Sequence, residues 1–322
     1  MMQESALVAL GIVILYFGAE WLVRGSARIA ASLGVPPIVV GLTVVSIGTS
    51  APELAVCLLA ALRGTPDIAM GNVMGSNLAN IGLILGLTAI IRPLDVAARV
   101  VSREVPVMVV ITAGLFFLIW DGHLGRGDGG ILLVVLAAYL IFVFRSAATE
   151  GPAVVGEFER FAEASTHVVP GVRMRDIGLV ILGSGCLVLA GRAIVDSAEY
   201  VAAAVGIPPL LISLSVIAIG TSLPELATSL VAATRGEADI AVGNVIGSNV
   251  LNIAAILGIT GLVRPLDVAS SVVRAELPAV LLLSLVVFPV SWSAFRVQRW
   301  EGGLLLALYL GLMAWLFQAG AF

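Results

Sequence analysis

Apolar stretches of roughly 20 residues recur along the chain, parted by short clusters that hold nearly all of its charge. A helix of that length crosses a hydrocarbon core about 30 Å thick, and lipid tolerates only structures that satisfy their own backbone hydrogen bonds. Hydrophobic residues make up 60% of the 322 and charged residues 12%, about half the roughly 25% of a soluble domain. A water-soluble globule is excluded, and the chain reads as an all-α polytopic membrane protein. Ten spans are expected, at about 5–30, 37–61, 67–90, 104–120, 129–145, 175–204, 209–233, 239–262, 276–292 and 302–319. The first is read as an uncleaved span, because Met1 to Ser5 carries Glu4 and no Arg, and Arg24 and Arg28 follow the apolar run in place of a cleavage site.

The two halves of the chain are copies. Shifting it by 172 residues superposes Gly48-Thr49-Ser50 on Gly220-Thr221-Ser222 and Gly71-Asn72-Val73 on Gly243-Asn244-Val245, and 36 of the 57 positions from Gly41 to Ala97 are identical. The expected organisation is a first five-helix repeat over 1–145, a polar linker over 146–174 and a second five-helix repeat over 175–322. Five is an odd number, so the second copy enters the membrane from the opposite face, the inverted duplication of secondary transporters. Short cytoplasmic loops collect arginine. The face bearing the odd-to-even loops and the linker holds 12 of the 17 arginines, which assigns it to the cytoplasm and puts both termini outside the cell inner (plasma) membrane. All 17 basic residues are Arg and the net charge is −4, so no polybasic block points to nucleic acid. The two cysteines, Cys57 and Cys186, lie in apolar segments without metal-ligand spacing and read as packing residues.

Polar residues inside the spans carry the chemistry. Ser46, Thr49, Ser50 and Glu53 share one helical face, and the seventh span repeats the pattern with Thr221, Ser222 and Glu225. Pro52 and Pro224 lack the N–H that would bond the carbonyls of Gly48 and Gly220, so a break is expected at a flexible glycine, with freed oxygens beside hydroxyls and a carboxylate. Such hard oxygen ligands suit alkali and alkaline-earth cations. Asn72, Ser76 and Asn80 form a second polar stripe, repeated as Asn244, Ser248 and Asn252, with Asn77 and Asn249 beside it. Close helix packing explains Gly71, Gly75, Asn77 and their copies equally well. An ionisable residue at bilayer depth costs several kcal/mol and marks a pathway, which favours function for Glu53 and Glu225.

The duplicated blocks Gly48-Thr49-Ser50-x-Pro52-Glu53 and Gly71-Asn72-Val73-x-Gly75-Ser76-Asn77-x-x-Asn80 resemble the alpha repeats of the sodium/calcium exchangers, in the cation/calcium antiporter superfamily, here of the compact prokaryotic type. The resemblance implies a cation cluster of Glu53 and Glu225, Thr49, Ser50, Thr221 and Ser222, and Ser76, Asn80, Ser248 and Asn252. It also implies backbone carbonyls at Ser46 and Ala218. Some members carry Asp where this chain has Asn80 or Asn252, so the site charge here is at most −2.

Two carboxylates balance one dehydrated Ca2+ or the Na+ ions that replace it, and competition for one set of ligands makes an antiporter. Once emptied, two close carboxylates in a low dielectric resist being charged together, so H+ is the alternative coupling ion, with K+ dependence left open. A cation channel fits less well, because inverted halves and broken helices match alternating access and the TVGYG filter is missing. No HExxH and no nucleophile–His pair points to an enzyme. No prosthetic group and no protein partner are expected; the partners are Ca2+, Na+ or H+ and the bilayer. In the first and sixth spans, Glu20 and Arg24 align with Arg192 and Asp196 in reciprocal order. Each pair can neutralise itself along its helix, which suits helices that slide, or residues that snorkel at a membrane end.

Overall fold

The computed structural model describes residues 2–148, 173–204, 218–292 and 295–319, nearly all of them helical. Helix α1 spans Met2–Leu33, and Gly34 at φ +65° ends it. Pro36 and Pro37 restart the chain as α2, Pro37–Thr49, which bends by 47° into α3, Ala51–Arg63. Gly64 at φ +79° closes α3, and Pro66 at the first helical position opens α4, Pro66–Ile91. Glycine beyond a helix end and proline just inside the next start are the residues those backbone conformations favour. Helices α5, Val100–Leu118, and α6, Arg126–Ala148, complete the first half. The second half runs α7 Met174–Ala204, α8 Ala218–Thr221, α9 Leu223–Arg235, α10 Ala238–Val263, α11 Val272–Trp292 and α12 Arg299–Gln318.

Eight of these helices are each long and apolar enough to cross a bilayer, and α2 with α3 forms a ninth, bent span. The remaining expected span, 209–233, begins on residues 205–217, outside the described residues, and ends as α9. The linker expected at 146–174 lies outside them from 149 to 172, and residues 146–148 continue α6. The architecture is the expected polytopic bundle of two inverted five-helix repeats.

Burial sorts the helices into layers. The apolar windows of α4 and α10 are 78% and 83% buried, against 22% for α6 and α7 and 28% for α12. The two helices with Asn-Ser-Asn stripes therefore cross at the centre, where lipid does not reach their polar faces, while α6, α7 and α12 face the bilayer. Both central helices widen to π-helical turns at the end of the stripe, over Ala79–Leu85 and Asn252–Leu257, which take in Asn80 and Asn252. Such turns bulge a helix locally and recur at functional sites.

Four two-residue strands tie the halves together: β1 Leu94–Asp95, β2 His123–Leu124, β3 Leu266–Asp267 and β4 Arg296–Val297. β1 pairs antiparallel with β4, and β2 with β3. Each pair joins one strand from each repeat, and successive loops emerge on opposite faces, so the halves are clasped at both membrane surfaces. Arg92 reinforces one clasp by donating to the Thr234 carbonyl at 2.7 Å, and Arg264, its copy, donates to the Leu62 carbonyl at 2.7 Å. Each arginine thus caps the last turn of the other repeat's glutamate-bearing helix.

Candidate cation site at the centre of the bundle

The break in each repeat falls on a serine. Ser50 leaves helical geometry at φ −83°, ψ 9°, between α2 and α3, and Ser222 does so at φ −88°, ψ 4°, between α8 and α9. Pro52 and Pro224 lie in the first turn of the restarted helix, where a missing N–H costs no hydrogen bond. The sequence had pointed to a flexible glycine two residues earlier. Gly48 is instead helical and allows α7 to approach: a side chain there would collide with Ser184. Gly183 on α7 meets the α1 backbone at Leu22.

These breaks carry Glu53 and Glu225 to the centre, 0% and 1% exposed. Hydroxyls reach across the repeat boundary. Ser50 donates to Glu225 Oε1 at 2.9 Å, Ser222 to Ser76 Oγ at 3.3 Å, Thr49 stands 3.1 Å from Asn244 Oδ1, and Thr221 stands 3.3 Å from Asn72 Oδ1. Asn244 Nδ2 donates to the Glu225 carbonyl at 3.3 Å and to Ser229 Oγ at 3.0 Å, and Asn72 Nδ2 donates to Cys57 Sγ at 3.3 Å. Each asparagine therefore braces its own glutamate helix while accepting a hydroxyl from the other repeat.

Six buried side-chain oxygens in this cluster lack a hydrogen-bond partner: Glu53 Oε1 and Oε2, Glu225 Oε2, Asn80 Oδ1, Ser248 Oγ and Asn252 Oδ1. The Ser222 and Thr221 hydroxyls lie beside Glu53. Buried acceptors are rarely left without donors. They come from α3, α4, α9 and α10, and two of the side chains are carboxylates among neutral oxygens, the hard donor type that suits alkali and alkaline-earth cations.

The structure thus gathers Thr49, Ser50, Glu53, Ser76, Asn80, Thr221, Ser222, Glu225, Ser248 and Asn252 at the crossing of the broken and central helices. Ser46 is different, because its hydroxyl donates to Gly41 O at 2.7 Å and lies 3.1 Å from Asn244 O, so only its carbonyl faces the break. That carbonyl accepts the Ser50 N–H at 2.9 Å. Ala218 opens α8. Asn77, which sequence alone leaves between packing and function, accepts from Asn252 Nδ2 at 2.9 Å and donates to Asn249 O at 3.4 Å. Asn249 turns to its own helix, donating to Val245 O at 2.8 Å, so the two repeats are not equivalent here. Spacing along one helix cannot show this, because the partners lie 175 residues apart.

Comparison with known proteins agrees with this geometry. The profile of the family described as Sodium/calcium exchanger protein matches residues 4–145 and 176–318. The chain belongs to the sodium/calcium exchanger family. It is 36% identical to the inner membrane protein YrbG of Escherichia coli, over 98% of both chains, and 32% identical to the sodium/calcium exchanger MaX1 of Methanosarcina acetivorans, over 97% of both. The putative antiporter CaxA of Alkalimonas amylolytica is 35% identical over 99% of this chain and all of its own. Among solved structures, the sodium-calcium exchanger NCX_Mj soaked with Na+ and Sr2+ superposes with a TM-score of 0.83 at 32% identity, covering 97% of this chain and 98% of that one. This exchanger is accordingly a multi-pass membrane transporter of the cation/Ca2+ antiport class, a family of exchangers rather than of catalysts.

Proposed function

We propose that this exchanger moves Ca2+ against Na+ by alternating access, with Glu53 and Glu225 as the charged ligands of one shared site. Thr49, Ser50, Thr221, Ser222, Ser76, Asn80, Ser248 and Asn252 supply neutral oxygens, and the carbonyls of Ser46 and Ala218 complete the shell. The observation that carries this reading is a set of six partnerless buried oxygens, three on the two glutamates of opposite repeats and three on Asn80, Ser248 and Asn252 of the central helices. Two carboxylates neutralise one Ca2+, and the same two accept Na+ in its place, so occupancy by one ion excludes the other. NCX_Mj, named as a sodium-calcium exchanger and studied with Na+, Ca2+ and Sr2+, supports the choice of ions.

Proton coupling is the second reading, favoured by Asn80 and Asn252, which hold the site to two negative charges. Ca2+ uptake into proteoliposomes under outward Na+, K+ or H+ gradients separates the two. Uptake is expected with Na+ alone; uptake driven by H+ and indifferent to Na+ would overturn the coupling assignment. Ca2+ current without any counter-ion on the far side would mark a channel.

A further inference from the structure

The repeats agree in sequence at the ion site and disagree in charge at the helices that pack beside it. Glu20 on α1 is buried, its side chain 6% exposed. Arg235, the last residue of α9, grips it side-on, Nε to Oε2 at 2.8 Å and Nη2 to Oε1 at 2.6 Å, and Arg24 reaches the same carboxylate at 2.5 Å from one turn along α1. Tyr16, one turn before Glu20, stands beside the same guanidinium. The Nε contact is a hydrogen bond between charged groups, and such charge-assisted bonds are shorter and stronger than neutral ones. It ties α1 to the C-terminal end of the helix that carries Glu225.

The 172-residue shift maps this constellation onto a different one. Glu20 becomes Arg192, Arg235 becomes Arg63, Arg24 becomes Asp196 and Tyr16 becomes Val188. Arg192 on α7 is 82% exposed and leans 3.9 Å from Asp196 on its own helix. Among the described residues, α7 makes no packing against α3 comparable to that of α1 against α9. One end of the molecule is therefore latched and the equivalent end is apart.

We propose that Glu20–Arg235 is a one-sided conformational latch that biases the exchanger towards the state closed at the α1–α9 end. The inference rests on the alternating-access reading above. Because the repeats share their sequence, the packing that α1 makes on α9 is the packing available to α7 on α3 in the opposite state. There Arg192 meets Arg63, like charge against like, where the present state has carboxylate against guanidinium. The two end states are thus unequal in energy even though the ion site between them is nearly symmetric. By the arginine count, the latched end is the cytoplasmic one.

The test is hydrogen–deuterium exchange, read by mass spectrometry, on the full chain in lipid nanodiscs, following the last turns of α9 and of α3. Glu20→Gln keeps the shape and removes the charge. It is expected to shift the equilibrium between end states about tenfold, the scale for breaking a half-buried ion pair, with faster exchange at 230–235 and slower exchange at 58–63. Arg192→Glu removes no packed partner and adds an attraction to Arg63, so it shifts both segments in the same direction. The charge swap Glu20→Arg with Arg235→Glu is expected to restore the wild-type pattern, which a merely structural role for Glu20 would not do. Unchanged exchange in both single variants, opposite shifts between them, or a folded charge swap that fails to restore the pattern would each overturn the latch. Exchange rates do not require transport, so failure of Na+-driven uptake with these shifts intact sinks the antiport reading and not the latch.

Discussion

At the residue scale, the proposed function rests on two buried carboxylates, three of whose four oxygens have no hydrogen-bond donor. Glu53→Gln or Glu225→Gln keeps one oxygen and the shape but removes the charge that balances a cation. Gradient-driven Ca2+ flux in proteoliposomes is expected to fall to background while the protein still elutes as a folded species; normal flux in either variant would remove that glutamate from the site. Asn77 acts one step further out, by holding the Asn252 amide so that its Oδ1 faces the cluster. Partners that orient a ligand typically contribute 10–100-fold in metal affinity. Asn77→Leu is therefore expected to weaken Ca2+ binding about tenfold, measured calorimetrically, and Asn77→Asp, which keeps the acceptor, to weaken it less. The glutamates were legible in the sequence because an ionisable residue in an apolar span has few structural excuses. Asn77 was not, because its role depends on which of two homologous amides its partner helix presents, and no periodicity within one helix encodes that.

At the element scale, caps and breaks were partly legible. The repeated Pro-Glu pair announced a break in each repeat, whereas placing it at Ser50 required knowing that α7 covers Gly48. The exchanged caps at Arg92 and Arg264 were invisible, since each arginine bonds a carbonyl in the other repeat. Arg264→Ala removes one such bond and is expected to lower stability by about 0.5–1.5 kcal/mol, read from thermal unfolding in detergent. The turn between α9 and α10 adds a pH term. Burial, with Asp239 nearby, raises the Glu237 carboxyl to about 7, and the first repeat has Thr65 at the equivalent position. A carboxyl raised in the folded state contributes stability that is complete below its unfolded value of 4.5 and is lost as pH climbs through about 7. Wild-type melting temperature is therefore expected to fall between pH 5 and 8 by more than that of Glu237→Thr; parallel pH profiles would count against this assignment.

At the scale of the whole molecule, duplication explains most of what the chain is. The 172-residue repeat, the odd number of spans and the clasping of β1 by β4 and β2 by β3 place equivalent machinery at opposite membrane faces. The asymmetry then lies in charge. Asp95 meets Arg296 across one clasp at 3.2 Å, and Asp267 meets His123 across the other at 3.2 Å, so a permanent cation stands at one face and a titratable one at the other. Arginine is likewise concentrated in the loops of the Arg296 face, and on that count we propose that this face is cytoplasmic, the side where arginine-rich short loops are retained during insertion. The orientation has a direct check. A single cysteine at Ala164, in the linker segment, is expected to react with membrane-impermeant maleimide only when the cytoplasmic side is accessible, and one at Ala321 only from outside. Labelling on the reverse faces would invert the molecule in the membrane and, with it, the side on which Glu20 and Arg235 close, while leaving the inverted-repeat architecture as it stands.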